Sequence, residues 1–182
     1  GAWQLINASQ NFTNYTYSWR VPDVIGTKLK VKVQRADDAG TNDTSVNNFT
    51  IKGRIFVTDP EASDIWIVDT QPTINWTYNG SINQVNLSWI NISGTTPIAG
   101  SVSNVGAYST WTVPDDIGNT SSINVSDASD PTVSNRSANF TIKGKVTVKV
   151  PNGTEAWYVN SLHNVLWATN GTIGNVSIRL WN

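Results

Sequence analysis

Along this chain apolar residues recur at every second position, in short runs bounded by turn formers, and nowhere at the spacing of a helical stripe. Between residues 53 and 143 the alternation predicts seven strands: Ile55 to Val57, Trp66 to Val68, Thr73 to Trp76, Val85 to Ile92, Tyr108 to Val113, Ser122 to Ser126 and Asn139 to Ile142. Asn79-Gly80, Val113-Pro114-Asp115, Ile117-Gly118 and Asp130-Pro131 supply the turns. Residues 93 to 106 are less regular and are expected to form an edge hairpin or a loop. Seven short strands and no helix predict an all-β, immunoglobulin-like β-sandwich. Trp76 and Trp111 sit on the inward phase of their runs, where an indole buries a large area and pins two sheets together. Trp3, Trp89 and Trp181 are the tryptophans expected at the surface.

The pattern occurs twice. Trp19-Arg20-Val21-Pro22-Asp23 with Ile25-Gly26 returns, shifted by 92 residues, as Trp111-Thr112-Val113-Pro114-Asp115 with Ile117-Gly118. Asn48-Phe49-Thr50-Ile51-Lys52-Gly53 returns at a shift of 91 as Asn139-Phe140-Thr141-Ile142-Lys143-Gly144. Pro60, Trp66, Trp76, Gly80 and Val85 likewise return as Pro151, Trp157, Trp167, Gly171 and Val176. This phase predicts a complete module at 53–143, preceded by the C-terminal part of one (1–52) and followed by the N-terminal part of the next (144–182). Two periods of 91 residues fill the 182, cut in mid-module at both ends.

Pro151-Asn152-Gly153, Glu155-Ala156-Trp157, Val165-Leu166-Trp167 and Gly171, followed by Asn175-Val176-Ser177-Ile178, resemble the immunoglobulin-like module of fungal cell-wall Knh-type proteins and its prokaryotic surface-protein relatives. The Trp-Xaa-Val-Pro-Asp and Phe-Xaa-Ile-Xaa-Gly segments look like that module's closing half. The resemblance runs through essentially the whole chain, twice, on core and turn residues. It implies a sandwich in a wall or surface protein, and no active site. The middle copy departs from it at Glu61-Ala62, where the last has Asn152-Gly153.

Composition adds a surface chemistry. Asn-Xaa-Ser/Thr occurs at Asn7, Asn11, Asn14, Asn42, Asn48, Asn75, Asn79, Asn86, Asn91, Asn119, Asn124, Asn135, Asn139, Asn152, Asn170 and Asn175, which is 16 of the 22 asparagines. Ser and Thr make up 39 of the 182 residues, so chance would place a hydroxyl two positions on in only about five. Asn75, Asn86, Asn91 and Asn124 each lie between apolar residues of a strand run, on the phase that points outward. N-linked glycosylation, and hence an extracellular or cell-surface protein, is the expectation. Glycans there would also shield sheet edges from stray pairing.

Charge and reactive groups narrow the function classes. Charged residues are only 14% and the net charge is -1 with no basic block, so nucleic acid and membrane insertion are not expected. No apolar run approaches the roughly 20 residues of a membrane-crossing helix. The lack of an initiator Met and of a basic leader with an apolar core fits a mature product or an excised piece. There is no Cys, hence no disulfide and no thiolate zinc site. His163 is the only histidine, which leaves no repeated Ser-His-Asp triad and no multi-His metal site. Glu61 and Glu155 lie about one period apart rather than paired. Asp115-Asp116, Asp127 with Asp130, and Asp37-Asp38 with Asp43 offer oxygen atoms to Ca²⁺, but without a recognised calcium-loop spacing, so no cofactor is expected.

The expected function is therefore non-catalytic: a structural subunit of a heavily N-glycosylated filament, stalk or surface layer, of bacterial or archaeal type. Its partners would be other copies of itself, or flanking modules of the same long chain, arranged head to tail. The alternatives are an adhesin or carbohydrate-binding array that uses exposed tryptophans, and an accessory region of a large surface hydrolase.

Overall fold

The computed structural model describes residues 2–8 and 15–181, and among them every regular element is a strand. The chain divides into two compact units. The first holds the residues up to Arg54 together with Asn79–Ser81, and the second holds Ile55–Tyr78 and the residues from Ile82 onward.

In the first unit, β1 (Gly26–Leu29) pairs antiparallel with β4 (Phe49–Ile51). β2 (Lys32–Arg35) and β3 (Asp38–Thr44) form a hairpin. Val31 and Ser45 join the two pairs. The Val31 N–H donates to Ser45 Oγ at 3.3 Å, and the Ser45 N–H donates to the Val31 carbonyl at 2.9 Å.

The second unit is built from β5 (Arg54–Asp59) and β7 (Ile74–Asn79), each apart from the one terminal residue that belongs to the first unit, with β6 (Ile65–Ile67), β8 (Gln84–Asn91), β9 (Gly94–Ser103), β10 (Ala107–Tyr108), β11 (Gly118–Asp127), β12 (Ser134–Arg136) and β13 (Phe140–Lys143). The hairpin strands β14 (Lys145–Val150) and β15 (Leu166–Asn170) follow. One sheet runs β10-β7-β5; the other runs β6-β13-β11-β8-β9, with β12 also on β11. β6 lies parallel to β13, whereas β11 is antiparallel to β8, β12 and β13. This strand order is compatible with an immunoglobulin-like sandwich that has an added edge strand.

Both sheets supply the core, as the period-two rule requires. Ile55 and Val57 on β5 and Ile74 and Trp76 on β7 face Val85, Leu87 and Trp89 on β8, Ile123 and Val125 on β11, and Phe140 and Ile142 on β13. Full burial of each such side chain stabilises by about 1.5–3 kcal/mol. Trp66 lies between Phe140 and Trp111, with ring centroids at 4.5 and 5.9 Å, and Trp111 continues to Trp89 at 6.3 Å. The single buried asparagine among the described residues, Asn104, is bonded through both its amide oxygen and its amide nitrogen. Its Oδ1 accepts the Trp76 indole N–H at 2.7 Å and its amide donates to the Ile82 carbonyl at 2.9 Å.

Three expectations need correction. Tyr108 to Val113 is a strand only over Ala107–Tyr108; beyond it Val113 exchanges backbone bonds with Asp69 and Thr70 instead of joining a ladder. The edge hairpin expected within residues 93 to 106 is present as β9, which pairs with β8 through two register shifts, and Pro97 is tolerated there since the strand lies at the sheet edge. Trp89 is buried, with its indole N–H donating to Ser121 Oγ at 3.1 Å. The phase set by Val85 and Leu87 carries Trp89 inward. Trp111, expected in the core, is half-buried on its rim.

The sequence repeat is also a repeat of pairing. Gly26↔Ile51 and Leu29↔Phe49 return as Gly118↔Ile142 and Ser121↔Phe140, including the irregularity between the two pairs. Lys32↔Thr44, Val33↔Asp43 and Gln34↔Asn42 return as Asn124↔Arg136, Val125↔Asn135 and Ser126↔Ser134. The Ile123 N–H donates to Ser137 Oγ and the Ser137 N–H to the Ile123 carbonyl, matching Val31 and Ser45. The change of shift from 92 to 91 is thus a single extra residue, Val46-Asn47 standing against Ala138.

Candidate glycosylation surface and assembly faces

Strand phase and turn chemistry decide where the sequon asparagines lie. Asn7, Asn42, Asn48, Asn79, Asn119, Asn139, Asn152 and Asn175 are exposed, and Asn75, Asn86, Asn91, Asn124, Asn135 and Asn170 are half-buried. Asn11 and Asn14 lie outside the described residues. No described sequon asparagine is buried, and the buried Asn104 belongs to no sequon.

Several of these amides also hold the fold. Asn135 Oδ1 accepts the Val57 N–H at 2.8 Å, and Asn86 Oδ1 accepts the Ser101 N–H at 2.8 Å. Asn91 Oδ1 accepts from Ser93 and Gly94, closing the β8–β9 turn, and its amide donates to Asp116 at 3.1 Å. Asn75 donates to Asp59 at 3.1 Å. Each side-chain nitrogen has two hydrogens and a glycan replaces one, so these donor bonds are compatible with attachment.

The sequon hydroxyls divide differently. Ser121, two residues after Asn119, is buried and accepts the Trp89 indole N–H. Ser137, two after Asn135, is buried between the Ile123 N–H and the Ala138 carbonyl. Sequence reasoning identified these sequons but had no sign that their hydroxyls face inward.

The acidic groups serve turns. Glu155 Oε2 accepts the N–H groups of Asn152, Gly153 and Thr154 at 2.8–3.1 Å, which holds its carboxyl below the ordinary range. Asp64 caps the Glu61 N–H at 2.7 Å, so the two turns that differ in sequence are closed in the same way. Asp38 is lowered by the Thr41 hydroxyl and the Gly40 N–H, while desolvation raises Asp59. Asp127 accepts from Ser129 and Asp130 from Thr132. Asp37 pairs with Arg35, and Asp116 takes the Asn91 amide. Among the described residues no group of three or more His, Asp or Glu side chains is placed to hold a metal ion. No helix is long and apolar enough to cross a membrane, which leaves membrane β-barrels untouched.

His163 stacks on Trp157 at 4.7 Å, with its Nε2 2.8 Å from Ser161 Oγ. That Ser161 hydroxyl donates to the Tyr158 carbonyl, as the Thr70 hydroxyl donates to Ile67 one repeat earlier, which marks it as a turn residue. A shallow groove of about 300 Å³ lies between Phe56–Ala62 and Asn135–Ala138.

The uncovered apolar positions are of another kind. Leu87 is 1% exposed and its counterpart Ile178 is 61% exposed; Trp89 is 9% and Leu180 93%; Trp76 is 3% and Trp167 41%. At the front, Val33 is 73% exposed where its counterpart Val125 is 0%. Residue types that close the core between 53 and 143 thus face solvent in both flanking segments. No family model matches the chain, and no curated protein matches it. The arrangement itself is what bears on function.

Proposed function

We propose that this chain is a non-catalytic structural subunit of an N-glycosylated extracellular filament, stalk or surface layer, in which successive immunoglobulin-like modules complete one another head to tail. The single observation that supports it is the set of counterpart positions buried in the middle and bare at both flanks. Exposed apolar surface on this scale needs a cover. The fitting cover is the strand that covers its counterpart, supplied by continuation of the polypeptide or by a second copy. The Knh-type resemblance belongs with this reading, as a wall or surface module.

The register between β11 and β8 supplies the pattern for the proposed contact. Ile123 meets Trp89 and Val125 meets Leu87 across β11 and β8. Between copies, Val31 would therefore meet Leu180, and Val33 would meet Ile178. The chain has no cysteine, so single substitutions report cleanly. Mixed chains carrying Val33→Cys and Ile178→Cys are expected to form a disulfide dimer on oxidation, and pairs displaced by one residue are expected not to. Equal cross-linking at every register, or none at any, contradicts contact between copies. Intact-mass and peptide mass spectrometry of the native protein tests the sugar coat, since bare asparagines throughout would remove it.

A further inference from the structure

Two contacts, one period apart, join residues 57 or 58 positions distant in the chain. Asp115 stands at the Val-Pro-Asp corner, where the Asp116 N–H folds back on the Pro114 carbonyl at 2.9 Å. Its Oδ2 accepts the N–H of Thr172 at 2.7 Å and also the Thr172 hydroxyl. In the first unit the same corner, with the Val24 N–H on the Pro22 carbonyl, presents Asp23 to both the N–H of Ser81, at 3.0 Å, and its hydroxyl.

The donor turn is Asn-Gly-Ser in one case and Asn-Gly-Thr in the other. Its glycine has φ of 88° at Gly80 and 78° at Gly171, a region in which a side chain is strained. Space is also tight for a side chain, more so at Gly171 than at Gly80. A Cβ on Gly171 would lie 2.9 Å from Val68 Cγ2 and 3.0 Å from Asp115 Oδ1, and one on Gly80 would lie 3.2 Å from the Gly53 backbone and from Ile25 Cδ1.

The seat for the later turn is held by backbone hydrogen bonds. The Asp69 N–H donates to the Val113 carbonyl and the Val113 N–H to the Thr70 carbonyl, so residues 68–70 and 113–115 form one cradle. Asn170 adds a longer contact to Asp69 at 3.4 Å. Asp69, with φ of 65°, has a counterpart in Asn160, with φ of 67°, so half of the following cradle is already shaped in the last segment.

We propose that the aspartate of each Val-Pro-Asp corner is the binding site for the Asn-Gly-Ser/Thr turn of the module that follows, and that this contact is the joint of the repeat. The inference rests on reading the chain as successive modules. It names the interacting groups: a carboxylate as double acceptor, and a turn whose N–H and hydroxyl point the same way because glycine lets the backbone come close. Nothing in the joint depends on strand exchange between copies. It requires only that one module follow another.

The test is amide hydrogen exchange and residual dipolar couplings on the full chain, at dilution where copies do not associate, so that a failure to assemble leaves the joint still tested. In Asp115→Ala the Thr172 amide is expected to exchange at least tenfold faster, with Ser81 unchanged. Residues 55–143 and 144–171 are expected to share one alignment tensor in the native chain and to separate into two in the variant. Thr172→Val keeps the N–H and loses only the hydroxyl, so a smaller acceleration is expected there, with the sandwich intact. Unchanged Thr172 exchange in Asp115→Ala, or a tensor that remains shared, overturns the proposal.

Discussion

A carboxylate that accepts two hydrogen bonds gives up its proton more readily, and Asp23 is such a group. The Ser81 hydroxyl, and then the Ser81 N–H, lower its pKa from the ordinary value. Since the folded value lies below the unfolded one, the contact contributes fully above about pH 3.9 and fades as pH falls through the lowered native value. A carbon-detected carboxyl titration should give Asp23 a midpoint below that of a free aspartate, with the Ser81 amide shifting at the same midpoint; an ordinary midpoint contradicts it. In the core the decisive polar pair is Trp76 and Asn104. Trp76→Phe would leave Asn104 Oδ1 buried without its indole donor, at a cost of about 1–3 kcal/mol in urea unfolding. Replacing Asn104 with Leu in the same chain should recover part of that loss.

At the scale of elements, equal substitutions should have unequal effects. Leu87→Ala removes a fully buried side chain on β8 and is expected to cost about 2–5 kcal/mol, whereas Ile178→Ala, at the counterpart position, should change the dispersed chain by less than about 0.5 kcal/mol. Equilibrium denaturation of both variants decides it. The same elements show what was legible in the sequence. All seven alternating runs contain strands, because period two and flanking turn formers suffice where one face is buried. Tyr108 to Val113 was over-read, since the alternation of Trp111 and Val113 reflects packing on the core rim and backbone bonds to Asp69 and Thr70 rather than a ladder. For β9 the sequence left edge hairpin and loop both open, because its pairing to β8 passes through two register shifts that scramble the alternation. Trp89, expected at the surface, follows the inward phase of Val85 and Leu87 on its own strand. On β8 and β11 that phase keeps Asn86, Asn91 and Asn124 out of the core, but they are half-buried rather than exposed. The inward hydroxyls of Ser121 and Ser137, and the partners of Asp23 and Asp115, were not legible in the sequence, because they depend on residues 14 to 58 positions away.

For the whole molecule, association should depend on the bare apolar positions. Sedimentation over a range of concentrations is expected to show growth into higher species, and Leu180→Asp, which places a charge where Leu180 is to be covered, should hold the chain at its smallest form. A native chain that stays monomeric at every concentration, with its flanking segments folded, would remove contact between copies. β9 bears on the opposite question, that of sideways fusion. It is an edge strand that carries Pro97, which has no N–H to offer, and two register irregularities, features that discourage a further strand from adding there. In the assembly proposed above, threads would therefore lengthen without welding to their neighbours. Tension would pass along each thread through paired strands and covalent backbone, while parallel threads stayed free to slide.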